Sequence, residues 1–270
     1  MQGQSRTAQA ETRRSLQAAL DSGADWRQLS DDLFNVVALL DSNVTVRRAL
    51  ADPTREADTR RGIADRLLRG KIGDAALGVV TAAVGSRWSH ERDLATALNE
   101  AAVEAQVAMA DAAGRADDVE EQLFRFERTV AANPELRDAL GDPALPVDRK
   151  LSIVDQLLGD RVHPETARLL RQVVLNPRGR RFGPALEDIL DVAARRRSQL
   201  AAVVTVATEL DQARHDRLAA ALGSIYGRPV QLKVVVDPAV VGGIRVQVCY
   251  DVIDGTISSK LDSARRHFGA

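Results

Sequence analysis

The stretch LFNVVALLDSNVTVRRALADPTREADTRRGIADRLL, residues 33–68, returns 90 residues later as LFRFERTVAANPELRDALGDPALPVDRKLSIVDQLL, residues 123–158. Thirteen positions are identical without a gap, among them Leu33 and Leu123, Asn43 and Asn133, and Asp52-Pro53 and Asp142-Pro143. A duplicated module is the simplest reading. The period is too long for a tetratricopeptide or HEAT unit, so each copy is expected to be a small bundle in its own right.

Each copy reads as several short helices. In the second, Val119, Leu123, Phe126 and Val130 recur at helical spacing and form one apolar stripe. Asn133-Pro134-Glu135 supplies a cap, a first-turn proline and an acid suited to the helix dipole. Pro146 opens a helix that ends at Gly159, His163-Pro164 starts another, and NPRGRRFG breaks it. The first copy keeps the same rhythm, from Asp52-Pro53 through RRGIADRLLRG to DAALGVVTAAVGSRW.

From Leu200 the apolar period changes to two. AVVTVATEL, PVQLKVVV and GGIRVQVCYDVI read as strands, and DQARHDRLAAALGSIYG as a helix between the first two. A closing helix is expected from Ile257, Leu261, Ala264 and Phe268. The expected fold is therefore mainly α. Two tandem small helical bundles, 1–104 and 105–199, precede a small α+β domain, 200–270.

The bulk composition excludes several functions. With a formal net charge of −1 over 270 residues, no overall field recruits nucleic acid or an anionic membrane. The single cysteine, Cys249, rules out an internal disulfide framework and fits a reducing compartment. The first residues, MQGQSRTAQAETRR, contain no apolar core of a secretory signal. The longest apolar run, residues 75–84, would rise about 15 Å as a helix, half of what a bilayer needs.

Chemistry-bearing residues are scattered. His90, His163, His215 and His267 have no partner at metal-binding spacing and read as surface or capping residues. Gly242-Gly243 precedes a strand, not a helix, so backbone freedom at a strand entry fits better than a phosphate loop. The basic clusters PRGRR (177–181) and RRR (195–197) lack interleaved aromatics and read as solvated helix-end charge. Without a catalytic constellation, cofactor motif or metal motif, a non-catalytic adaptor is expected.

The tail resembles the C-terminal signature of the F-type ATP synthase delta subunit family, relatives of the mitochondrial oligomycin-sensitivity-conferring protein. The residues that carry it are Val236-Asp237-Pro238, Val240-Val241-Gly242-Gly243-Ile244, Val252-Ile253-Asp254-Gly255-Thr256, and the helix with Leu261, Arg265 and Arg266. The family's glycine at the turn before the last strand is replaced here by Cys249-Tyr250-Asp251. Residues 120–180 resemble the family's helical domain, so the first hundred or so residues are an extra copy, similar to enlarged forms in high-GC Gram-positive bacteria.

The resemblance implies a stator subunit in the peripheral stalk, on the cytoplasmic face of the plasma membrane, without catalysis or cofactor. It would tie the catalytic head to the stalk so that hydrogen ion transport drives ATP synthesis. The helical domain would receive an amphipathic N-terminal helix of an alpha subunit, and the C-terminal domain would meet the b subunit. Contact with the membrane would be indirect, and no nucleic acid is involved. By carry-over, the docking groove lies between the helix with Val103 and Val107 and the helix with Leu169 and Val173. Asp237, Pro238, Gly242, Gly243, Asp254 and Gly255 would be structural. A rival reading is a helical repeat adaptor unrelated to ATP synthase.

Overall fold

The computed structural model describes residues 3–159, 161–197, 200–208, 210–226, 229–237, 240, 242–248 and 251–254. Pro238, Val241, Cys249, Tyr250, Gly255, His267 and the expected closing helix lie outside the described residues. The chain divides into two compact units, Met1–Ala194 and Arg195–Ala270. The first is helical and the second mixes helix and sheet, the mainly α architecture that the periodicity predicts.

In the first unit, α1 (Gly3–Asp21), α2 (Trp26–Ser42), α3 (Val44–Ala51), α4 (Ala57–Leu68), α5 (Asp74–Gly85) and α6 (Glu91–Ala112) come first. Then follow α7 (Ala116–Ala132), α8 (Pro134–Gly141), α9 (Val147–Leu158), α10 (Pro164–Leu175) and α11 (Phe182–Arg197). Adding 90 to both bounds of α2, α3, α4 and α5 gives both bounds of α7, α8, α9 and α10. The same shift carries α1 to 93–111, inside α6, and carries the start of α6 to 181, beside the start of α11. α6 is thus the sixth helix of the first copy and the first helix of the second. It runs unbroken through residues 104 and 105.

The match follows from shared local chemistry. The Asn43 side chain accepts from the Val46 N–H at 3.1 Å, and the Asn133 side chain from the Leu136 N–H at 3.1 Å. Each asparagine closes one helix and caps the next. Gly73 donates its N–H to Asp32 at 2.8 Å, and His163 donates its N–H to Gln122 at 2.9 Å. The second helix of each copy so satisfies the donor at the N-cap of the fifth.

The core is aliphatic and continuous through both copies, from Leu33 and Leu40 to Leu169 and Leu186. Phe126 and Phe182 add a tilted ring pair with centroids 6.0 Å apart, seating the start of α11 on α7. α6 is buried on nearly every side, with Leu94, Leu98, Ala101, Val103, Val107 and Ala110 all inaccessible. Its many alanines let neighbours from both copies approach.

In the second unit the sheet order is β2-β1-β3-β4 for β1 (Leu200–Val206), β2 (Val230–Val236), β3 (Ile244–Val248) and β4 (Asp251–Asp254). β1 and β2 are parallel, Leu200 opposite Val230, and are joined by α12 (Gln212–Tyr226). β3 runs antiparallel to β1, with Val204 opposite Val246. Ala202, Val204, Val206, Leu232 and Val246 share a core with Leu222 of α12. Val203, between them, faces outward at 38% exposure. The segment GGIRVQVCYDVI holds two strands, β3 and β4, the second being the last strand that the resemblance implies, and they pair with Val248 opposite Asp251. Asp237 donates its N–H to the Val206 carbonyl at 2.9 Å. Gly242 and Gly243 take φ of 64° and 88° directly before β3, a region that side chains with a Cβ rarely enter.

Candidate partner-binding site

The groove residues that the resemblance singles out lie on α6 (Val103, Val107) and α10 (Leu169, Val173). α6 and α10 pack against each other, and none of the four side chains is more than 4% exposed. At its start, α10 is pinned by a half-buried ion pair, Glu165 with Arg115 at 2.6 Å. Glu165 is 3% exposed and sits in the first turn of α10, where the helix dipole favours a negative charge. Thr166 donates to Gln122 at 2.7 Å, tying the same turn to α7.

From the first copy, α2 packs along α6 and is tied to the α10 side by two ion pairs. Asp31 meets Arg168 at 3.3 Å, and Asp41 meets Arg178 at 2.9 Å. Arg178 also donates to Thr96 of α6 at 3.2 Å. This arginine departs from the reading of PRGRR as solvated helix-end charge. Its φ of 54° and that of Gly179, 72°, turn the loop after α10 so that the side chain lies inward at 17% exposure. Arg180, by contrast, pairs with Asp188 at the surface.

The 90-residue shift identifies the same edge in the first copy, on α1 and α5, which no single motif marks. Val103 and Val107 correspond to Arg13 and Gln17, both half-buried, and Leu169 and Val173 to Val79 and Ala83, both buried. Arg13 turns to α6, pairing with Glu100 at 3.4 Å and Glu104 at 3.5 Å. Along the outer side of α5 lie Ala75, Gly78 and Ala82, and Gly78 occupies the position of Arg168. A Cβ added at Gly78 would meet nothing within 4 Å. The second copy's edge is enclosed within the chain, whereas the first copy's is open along its outer side, at Gly78 and in part at Arg13 and Gln17.

Burial raises the pKa of Asp31, and the Arg168 guanidinium opposes that rise. A carboxyl whose folded pKa is raised binds its proton more tightly in the folded state. Its ionised form therefore weakens the fold at neutral pH, and the penalty is relieved as pH falls through the raised value toward the ordinary 3.8. Replacing Arg168 with alanine is expected to lift Asp31 further. Urea unfolding measured from pH 7 down to pH 4 will then show a larger gain in the variant than in the parent, relative to each protein's own stability at pH 7. Parallel curves would mean that the pair carries no coupling.

His90 and His163 stand at the N-cap positions of α6 and α10 without a side-chain cap bond, and His215 lies inside α12. His90 precedes α6, 3.5 Å from Asp93; His163 precedes α10, 3.3 Å from Asp118; His215 lies 3.5 Å from Asp216. Among the described residues no group of three His, Cys, Asp or Glu side chains is placed to hold a metal. No described helix is long and apolar enough to cross a membrane.

The family model for the ATP synthase delta (OSCP) subunit matches residues 92–268, beginning one residue into α6. A protein of Streptomyces avermitilis named ATP synthase subunit delta is 45% identical over 269 residues, covering 99% of this chain and 98% of its own. Its namesake from Kineococcus radiotolerans is 46% identical over 244 residues, covering 90% and 88%. Among solved structures, a chain of the Toxoplasma gondii mitochondrial ATP synthase hexamer aligns at 20% identity with a TM-score of 0.30, covering 62% of this chain and 95% of that one. With a family match through most of its length and relatives that match it nearly end to end, the chain belongs to the ATP synthase delta (OSCP) subunit family.

Proposed function

We propose that this chain is the delta subunit of a proton-translocating ATP synthase, a non-catalytic part of the peripheral stalk at the cytoplasmic face of a bacterial membrane. The observation that carries this is the near end-to-end likeness to proteins named ATP synthase subunit delta. An adaptor of this kind holds the catalytic head against the torque of the rotor, so that proton flow is spent on ATP synthesis. It needs two separate surfaces on one chain, a need that a chain of two compact units fits. Two modest contacts joined in one chain hold far more firmly than either alone, through effective concentration.

In this reading the helical unit is two copies of the family's helical domain sharing α6, the first copy being the addition. The α+β unit meets the b subunit of the stalk. The N-terminal helix of an alpha subunit docks on the edge formed by the first and fifth helices of a copy. Val103, Val107, Leu169 and Val173 form the floor of that edge in the second copy. Because that floor is enclosed, the open α1–α5 edge is assigned as the accessible one.

Two experiments test this. Membranes stripped of the subunit and supplied with the purified chain should regain proton-coupled ATP synthesis, while the chain alone hydrolyses no ATP. Coupling that stays lost with folded protein would overturn the stator role. For the edge, Gly78→Arg is expected to weaken binding of an alpha N-terminal peptide at least tenfold. The same change raises stability by roughly 1 kcal/mol, since it removes an exposed mid-helix glycine. Unchanged affinity in a folded variant would exclude the α1–α5 edge.

A further inference from the structure

We propose that the outward face of α7, formed by Glu121, Phe124, Arg128 and Ala131, docks an amphipathic helix of another subunit of the complex. That helix sets a cation against Glu121, an aliphatic side chain over Phe124 and an anion against Arg128. The inference rests on the subunit role proposed above and adds a second docking surface to the helical unit.

An exposed phenylalanine alone requires no partner. Phe124 is informative because its counterpart 90 residues earlier is also a phenylalanine, and the two differ sharply in exposure. Phe34 is 4% exposed and Phe124 is 55% exposed. At 100° per residue, Asp31, Phe34, Ala38 and Asp41 fall within about 80° of arc on α2. Phe34 is buried and the other three are half-buried. Their counterparts Glu121, Phe124, Arg128 and Ala131 are all exposed.

The first copy shows what such a face takes. Its two acids are met by Arg168 and Arg178 of the second copy, and Phe34, on the arc between those acids, is buried. After α11 the chain turns to sheet where a third helical repeat would have begun. A second molecule of this chain fits poorly, because its open α5 edge carries Gly78 where α10 carries Arg168. Nothing there would answer Glu121.

Charge also orients the guest. Asp117, Asp118, Glu120 and Glu121 crowd the first half of α7, and the exposed Arg125 and Arg128 lie in the second with the half-buried Glu127. Glu121 is bonded to Arg125 within the helix, so the incoming cation joins an existing pair. The basic end of the guest helix therefore lies over the start of α7 and its acidic end over Arg128.

The test uses full-length chain added back to stripped membranes, with the unsubstituted chain as reference. Phe124→Glu places a charge on a side chain that is already 55% exposed, so the isolated variant should melt close to the parent. Its incorporation into the complex should fall at least tenfold. In parallel, benzoylphenylalanine at position 124 should photo-crosslink, in the purified complex, to a helical segment of another subunit with the basic, aliphatic and acidic order given above. Equal incorporation of Phe124→Glu, or crosslinks only to a second copy, to lipid or within the chain, would overturn the inference. If the unsubstituted chain fails to incorporate, the subunit role fails first, so the two failures are distinguishable.

Discussion

A fragment of residues 105–270 will lose cooperative unfolding of its helical part, whereas a fragment of residues 91–270 will keep it. Position 105 lies inside α6, so the shorter fragment discards the first fourteen residues of a helix that spans Glu91–Ala112. Among those removed, Leu94 and Leu98 are 0% exposed and Val103 is 1% exposed. Burying one such side chain contributes about 1.5–3 kcal/mol. Losing three removes about 4.5–9 kcal/mol, comparable with the whole stability of a typical domain, ~5–15 kcal/mol. The longer fragment keeps α6 entire as the first helix of the second copy. It still exposes the side of α6 that met α1, α2 and α5, so it should melt below the full chain. Far-UV circular dichroism against temperature separates the cases. Two equally sharp transitions would show that the first half of α6 is dispensable, and that the copies do not depend on a shared helix.

That sharing was the part of the fold hardest to read from sequence. The central segment of each copy, from the Leu33-Phe34 helix to the closing Leu67-Leu68, keeps the same helices and core-facing positions in both places, with Leu33 and Leu123, Leu50 and Leu140, and Leu68 and Leu158 all buried. Its caps and apolar positions therefore survive duplication as recognisable identities, Asn43 with Asn133 above all. α1 and the matching part of α6 meet different neighbours. α1 has the core on one side only, and Arg13 and Gln17 occupy the positions that become Val103 and Val107 where helices crowd from both sides. The repeat signal fades where the environments differ, and a boundary at 104 falls inside a continuous helix. The candidate groove was legible to the same degree. Apolarity at Val103, Val107, Leu169 and Val173 marks positions that must be buried, whatever buries them. Only the fold shows that the second copy's edge is enclosed in the chain and the first copy's is open. Arg178 escaped for a related reason, since a loop in left-handed conformation can turn a basic residue inward without changing its sequence context. In the tail, the alternation of Ala202, Val204 and Val206 read directly as one buried face, because strand periodicity does not depend on which element covers it.

Arg60→Ala is expected to lower the stability of the helical unit by about 3 kcal/mol, the range for hydrogen bonds to a charged group together with loss of a packed stem. Arg60 is 1% exposed, on α4, and among the described residues the opposing charge of Asp52 acts on it without a salt bridge. Its guanidinium donates to the Ser86 carbonyl at 2.6 Å and the Gly85 carbonyl at 3.2 Å. These groups end α5, where unpaired carbonyls and the negative end of the helix dipole favour a cation. Trp88, 2% exposed, closes the same end by donating to the Ala83 carbonyl at 2.8 Å. Burial and the nearby Arg87 and Arg61 charges push the Arg60 pKa down, so the site opposes a positive charge that the carbonyls support. Arg60→Met separates these effects, because it keeps most of the stem and removes both the charge and the bonds. If the carbonyl bonds dominate, methionine is nearly as damaging as alanine; if desolvation of the charge dominates, methionine is neutral or stabilising. Arg60→Lys should fall between, since an ammonium cannot fork across both carbonyls. The matching position in the second copy is Lys150, half-buried in a copy whose fifth helix ends at Leu175 with 48% exposure. Lys150→Ala should therefore change stability by less than about 0.5 kcal/mol. Urea unfolding of the four variants decides the matter. Equal losses at positions 60 and 150 would mean that the two copies end their fifth helices by the same means, against the asymmetry of the two edges.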